Sequence, residues 1–301
     1  MRRAQELGPH IPQVGIRAAN LYFRLADEAE ALRAGAAVLG ITPAYDGILF
    51  RYYGQFVSDP RRVLASLAGN SRAGVAYFRY AMATDSLATA EAAWAWLRQS
   101  SFATDPLAVE FLDFLVARQQ PYRAAEMWTE YLGRRRGDFP VPNRLFNGGF
   151  ETEPTGALLD WRIQPVGQVA ATRDSTVAFE GRWSLRVEFA GDQNVAYAHT
   201  TQTAVLPPGT YRLRAMGRSE GLTTDQGLVL RVAGDRLDAR TSQLTGSTDW
   251  TPLEASFAVS AAANLVAIQV FREPSLKFDN KIAGTAWIDA VSLQARPHRR
   301  E

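Results

Sequence analysis

The spacing of apolar residues changes once along this 301-residue chain, and the change falls in residues 137–143, Gly-Asp-Phe-Pro-Val-Pro-Asn. Before it, apolar side chains recur at the three-and-four spacing of an amphipathic helix. After it they alternate, as in strands with one buried face. A glycine, two prolines and an asparagine in quick succession stop a helix and stiffen the connection to the next segment. The chain is therefore expected to be multidomain, α followed by β: a helical domain over 1–136, a linker over 137–143, a β domain over 144–296 and a tail over 297–301.

In the first region Thr42-Pro43, Asp59-Pro60 and Asp105-Pro106 each pair a capping side chain with a proline in the first turn, where its missing N–H is no loss. Gln120-Pro121 is a weaker instance, and Ser86 caps a further segment. These signals predict helices over 16–34, 43–54, 60–68, 72–84, 87–99, 106–118 and 121–136. Short helices with short connections suggest stacked antiparallel pairs. Ala73, Ala76, Tyr77, Phe78, Ala81 and Met82, and later Ala124, Ala125, Trp128, Tyr131 and Leu132, resemble tetratricopeptide repeats. The resemblance implies a helical repeat array that binds a protein partner.

Beyond residue 143, Leu185, Val187 and Phe189 share one face while Arg186 and Glu188 share the other. Tyr211, Leu213 and Ala215 alternate with Arg212 and Arg214 in the same way. Eight to ten such runs, separated by Gly-, Asp- and Thr-rich turns, fit a sandwich of two antiparallel sheets. Glu151 follows the Gly148-Gly149 turn, and Asp289 interrupts an apolar run, so each carboxylate needs a partner. With no cysteine and three histidines in the chain, hard oxygen ligands favour Ca2+ over zinc. The alternative is that both carboxylates pair with arginine or cap local backbone without a metal.

Composition narrows the function classes. Residues 1–142 hold 16 basic and 14 acidic groups and residues 143–301 hold 17 of each, so neither region is a basic surface for nucleic acid. Only Lys277 and Lys281 are lysine among the 33 basic residues. No run approaches the ~20 apolar residues needed to span a bilayer. The absence of cysteine is compatible with any compartment. An apolar signal segment is not evident at the N-terminus, and a trimmed protein of the bacterial periplasm, envelope or exterior is the expectation.

A run of phrases in the second region resembles the bacterial carbohydrate-binding modules of families 4, 9 and 22. They are Asn147 to Glu151, Asp160-Trp161, Gly181 to Val187, Pro208 to Arg212, Asp249 to Thr251 and Trp287 to Leu293, in that order. The resemblance covers about half the chain and implies a jelly roll stapled by a structural Ca2+. Glu151 and Asp289 would be its carboxylate ligands, with backbone oxygens near Gly149 and Trp183. It also implies binding of a polysaccharide or oligosaccharide, with Tyr197 at the position of a stacking aromatic. Alternation places Arg212, Arg214, Glu254, Gln269 and Phe271 on solvent-facing sides, so that these six residues are expected to share one surface; an ordinary solvated sheet face is the alternative. Trp161, Trp183, Trp250 and Trp287 are read as core or rim packing.

The segment 271–284, long and polar, is either functional or fixed by local turns. Catalysis has little support: His10 and His298 fall in the tails, leaving His199, and no phrase resembles a glycosidase motif although Glu254, Asp225 and Glu220 carry carboxylates. The expected function is a non-catalytic adaptor whose jelly roll holds a glycan and whose helices hold a protein. A purely structural or interaction protein is the alternative.

Overall fold

The computed structural model describes residues 11–260 and 265–296. Two compact units compose it, Met1–Leu107 and Ala108–Glu301. The tail at 297–301, His10 and His298 lie outside the described residues.

The helices are α1 (Pro12–Arg24), α2 (Glu28–Ile41), α3 (Asp46–Phe56), α4 (Pro60–Ser66), α5 (Ser71–Ala83), α6 (Leu87–Gln99), α7 (Asp105–Ala117) and α8 (Pro121–Leu132). The single helix expected over 16–34 is two. Ala26 adopts a left-handed φ of 57°, and the Asp27 side chain caps α2 by accepting from the Glu30 N–H. A cap side chain competes well with helix continuation when it satisfies a terminal donor. The caps read at Thr42 and Asp59 form, each accepting a backbone N–H two residues on. In the first unit Phe23, Phe50, Tyr53 and Tyr77 pack edge-on or tilted at centroid separations of 5.2–6.4 Å. This is the aromatic filling expected between alanine-rich helices.

Among the described residues ten strands form the sandwich: β1 (Arg162–Ile163), β2 (Val169–Asp174), β3 (Ser184–Ala190), β4 (Tyr197–Val205), β5 (Gly209–Leu222), β6 (Val229–Gly234), β7 (Leu237–Arg240), β8 (Gly246–Val259), β9 (Leu265–Arg272) and β10 (Ala283–Ala295). One sheet runs β1-β4-β9-β6-β7 and the other β2-β3-β10-β5-β8. Every pairing is antiparallel. Alternate residues such as Leu185, Val187, Leu213, Val266, Ile268 and Val270 point inward and are fully buried. Burial of each such side chain contributes about 1.5–3 kcal/mol. The helical domain and the antiparallel sandwich expected from the change in periodicity, the latter as the family resemblance also implies, are thus both present.

Residues 137–143 are clamped to the sandwich. The Asn143 amide accepts the N–H of Leu293 at 2.9 Å and of Leu145 at 3.0 Å. Trp128 of α8 meets Phe146 edge-on at 6.3 Å, and Phe146 meets Phe139 at 6.2 Å. The second unit therefore includes α8 as part of its packing.

Gly148 lies against the bulge in β10, where a Cβ would sit 1.9 Å from the Val291 carbonyl oxygen. Gly148→Ala should lower stability by about 3 kcal/mol, because backbone rather than a flexible side chain must move. Gly54→Ala, in exposed helix with nothing within 4 Å, should raise it by about 0.5–1 kcal/mol. Urea denaturation followed by circular dichroism checks both signs.

Candidate functional site

Glu151 and Asp289 converge although 138 positions separate them. A Cβ on Gly149 would lie 3.7 Å from Asp289 Oδ1 and 3.9 Å from Glu151 Oε1. Asp289 is fully buried and sits where the register of β10 against β5 shifts. Its Oδ2 accepts the N–H groups of Phe179 at 2.8 Å and Glu180 at 3.2 Å, and its Oδ1 accepts that of Ala290 at 2.6 Å. Glu151 Oε1 accepts the N–H groups of Arg182 at 2.8 Å and Trp183 at 3.1 Å. Between them stands Gly181, with φ +65° and no room for a Cβ, which would come within 2.1 Å of Glu151 Oε1. The two acids thus hold successive turns of the loop before β3.

Both carboxylates thus cap backbone N–H groups, the arrangement expected without a metal, and a hard cation would have to take the acceptor positions that remain. Two carboxylates present about eight acceptor positions, and five backbone N–H groups fill five of them. Among the described residues no third His, Cys, Asp or Glu joins them, so further ligands would be main-chain oxygens or water. Trp183, expected to offer an oxygen, meets Glu151 through its N–H.

The six residues expected on one glycan-binding surface do not share one. Tyr197 is buried, 1 % exposed, with its hydroxyl 2.6 Å from that of Thr200; it is core because strand β4 turns this position inward. Gln269 and Phe271 point outward from the first sheet, on β9. Arg212, Arg214 and Glu254 point outward from the second, on β5 and β8. The sandwich core separates these faces. Phe271 is covered besides: Arg231 and Arg240 lie over its ring at 4.8 and 5.1 Å and are tied to Asp238, and Arg240 also to Glu273. The two arginines hold the Asp238 carboxyl down at about 2, so the cluster stays ionised at neutral pH. Arg212 and Arg214 both pair with Glu254, whose carboxyl they hold below its ordinary value. His199 lies exposed on β4, its ring 5.9 Å from that of Tyr197.

The structure brings together a different set. Where the edge strands β1 and β2 of the two sheets run beside each other, a cleft of about 650 Å³ opens, lined by Glu153, Trp161, Arg162, Ile163, Gln164, Ala171, Thr172, Arg173 and Trp183. Trp161 is fully buried and forms the floor with Ile163 and Ala171. Its indole N–H donates to the Asn147 carbonyl at 3.0 Å, and its ring stacks on Phe150 at 5.0 Å. Trp183 is half-buried at the wall. The Arg173 guanidinium lies 4.1 Å over its ring and donates to the carbonyls of Phe150 and Glu151 and to Glu153. Arg162 donates to the Gly156 carbonyl and pairs with Asp113 at 3.5 Å. Both arginines are therefore committed. Thr172 and Gln164 supply a hydroxyl and a planar amide beside the apolar floor.

Trp161 and Trp183 stand in phrases legible in the sequence, whereas nothing in the sequence marks Gln164, Thr172 and Arg173. The two edges come from separate sheets, and their juxtaposition leaves no periodic mark. Phe179 and Trp250, edge-on at 5.7 Å, form a separate aromatic pair. Trp287 is nearly buried and donates to Asp174 at 2.9 Å, as its reading as packing anticipated.

No family model and no curated protein matches the chain. Solved structures similar in fold to its C-terminal half include carbohydrate-binding modules. A family 61 module in complex with β-1,4-galactotriose is 21% identical, covers 51% of this chain and 99% of its own, and has a TM-score of 0.37. A family 22 xylan-binding domain from Paenibacillus barcinonensis is 13% identical over 49% of this chain and 91% of its own, TM-score 0.33. A family 16 module is 16% identical over 41% and 84%, TM-score 0.31. The likeness is one of fold.

Burial pushes the Asp289 carboxyl above its ordinary value, against the pull of its three N–H donors. The folded chain then keeps a proton that the unfolded chain has released. Any stability from this effect is full below the unfolded value, near pH ~4, and is lost as pH rises through the raised folded value. In chelator-treated protein, the melting temperature of the wild type should decline relative to Asp289→Asn as pH rises from about 4 toward neutral. A gap that moves in favour of the wild type over that window contradicts this reading.

Proposed function

We propose that the sandwich is a non-catalytic binding module for a neutral polysaccharide and that the chain enters the cleft between β1 and β2. The observation that carries the reading is the cleft's lining: an apolar floor at Trp161, Ile163 and Ala171 under a hydroxyl, an amide and a carboxylate at Thr172, Gln164 and Glu153. Such a surface suits pyranose rings, whose faces are C–H and whose rims are hydroxyl. Its volume falls in the range of ligand-binding pockets, about 300–1,000 Å³. Arg162 and Arg173 are already paired with acids and carbonyls, so the cleft has little cationic capacity left for an anionic sugar. Among the described residues Glu153 is the one carboxylate lining it, whereas glycosidase chemistry uses two flanking the bond.

A Ca2+ ion at Glu151 and Asp289 is part of the same proposal. It would neutralise two acids in one place and stiffen the loop that carries Trp183. With the ion bound Asp289 remains ionised, so Ca2+ should raise the melting temperature most at higher pH.

The adaptor role is supported by the first unit, where a groove of about 550 Å³ runs between α4 and α6, with Leu64, Ala88, Ala92 and Trp96 along it and Arg61 and Gln99 beside them. A protein segment held there would be brought to the glycan, a task suited to the cell envelope. No helix among the described residues is long and apolar enough to cross a membrane.

Affinity electrophoresis of the full chain in gels containing neutral polysaccharides tests the cleft. Trp183→Ala and Gln164→Ala should each weaken retardation at least ~10-fold in apparent Kd, equivalent to about 1.4 kcal/mol. Phe271→Ala and Arg214→Ala should leave it unchanged. Retardation that survives the first pair and disappears with the second would move the site to a sheet face.

A further inference from the structure

The second unit carries an apolar knob at one end and an apolar hole at the other. The knob is the segment between β9 and β10, where Leu276 and Phe278 are 101% and 105% exposed, beyond any other large apolar side chain among the described residues. Its base is built. Ser275 is buried, and Asn194 bonds both its N–H, at 2.9 Å, and its carbonyl, at 2.8 Å. The Ser275 hydroxyl donates to Asp225 at 2.5 Å. On the returning side Thr223 donates to the Lys281 carbonyl at 2.9 Å, and Ile282 is buried. Both feet are fixed, and the two apolar side chains stand out from them.

The hole is a cavity of about 310 Å³ between α8 and the sandwich. Ala125, Phe139, Leu159, Val205 and Pro207 line it, and Glu126, Glu130 and Arg144 stand among them. Tyr122 in its lining and Val141 next to Pro140 are 43% and 67% exposed. The charges are complementary: two acids and an arginine at the hole, and Lys277, Lys281 and Asp279 on the knob. Lys277 now pairs with Asp225 at 3.3 Å with its side chain 70% exposed, a surface contact easily exchanged.

One chain cannot make this contact with itself. Strand β9 begins opposite Val205, at the hole, and ends at Arg272 opposite Tyr197, at the knob. An eight-residue strand keeps the two about 23 Å apart at ~3.3 Å per step.

We propose that the knob of one copy of this chain seats in the hole of another. The contact is heterologous, head to tail, so it propagates into open chains or closes into a ring. A flat protein interface buries about 800 Å² on each partner. Two projecting side chains offer far less, which makes the association weak and concentration-dependent and favours a recessed partner over a flat one.

Sedimentation velocity on the full chain over a concentration series tests this. The weight-average mass of the wild type should rise above the monomer with concentration. Leu276→Ser with Phe278→Ser removes the knob, and Ala125→Trp fills the hole. Each variant alone should need at least ~10-fold higher concentration to associate. Mixed together they keep one working knob and one working hole, so they should form a 1:1 dimer that grows no further. Should Ala125→Trp fail to fold by circular dichroism, Glu126→Lys with Glu130→Lys takes its place, and its deficit should shrink as salt is raised. A wild type that stays monomeric, variants that associate like the wild type, or a mixture that gives no dimer would each overturn the proposal.

Discussion

Two carboxylates that reach across the chain hold the sandwich in working form. Asp289 sits in β10 next to the core residue Ile288 and at the bulge where the register against β5 shifts, and its burial is compensated by three backbone N–H groups. Two of them, on Phe179 and Glu180, belong to the loop that precedes β3. Beyond Gly181, Glu151 takes two further N–H groups of that loop, on Arg182 and Trp183. Removing Asp289 leaves three part-buried donors without partners, which costs about 1–3 kcal/mol per group, whereas the donors to Glu151 are exposed to water.

The cleft depends on this clamp. Trp183 takes its position from Glu151, and Arg173 is laid over its ring while bonding the carbonyls of Phe150 and Glu151. Phe150 in turn stacks on Trp161, the floor. One chain of contacts therefore runs from the buried aspartate to the wall and floor of the cleft. An ion at the clamp would act on binding through this chain without touching a ligand. The bulge beside Asp289 completes it, since the Val291 N–H donates to the Gly148 carbonyl at 2.9 Å and so fixes the turn that launches Glu151.

Much of this architecture was legible in the sequence because it rests on local periodicity. Leu185, Val187 and Phe189 alternate inward as their spacing predicts, and the prolines after Thr42 and Asp59 mark real caps. That Glu151 and Asp289 each need a partner was legible too, because a carboxylate in an apolar strand demands one, but only the family resemblance placed the two together. The break at Ala26 was not, since a single left-handed residue before a capping aspartate leaves the apolar spacing almost intact. The candidate glycan surface failed for a different reason. Alternation tells which side of a strand faces solvent but not which sheet the strand joins, so Phe271 and Arg214 were grouped although they lie on opposite faces. Tyr197 was misplaced by analogy with relatives of the fold, where its own strand's alternation turns it inward. Gln164 and Thr172 are ordinary polar residues on two short edges, and only the packing of one sheet on the other makes them neighbours.

The most direct measurement of the central claim is hydrogen–deuterium exchange of the full chain with and without a retained neutral polysaccharide. The account predicts new protection in residues 153–164, 171–173 and 182–184, around the cleft, with the faces carrying Arg214 and Phe271 unchanged. Protection confined to β5 and β8, or to β6, β7 and β9, with none around Trp183, would contradict it.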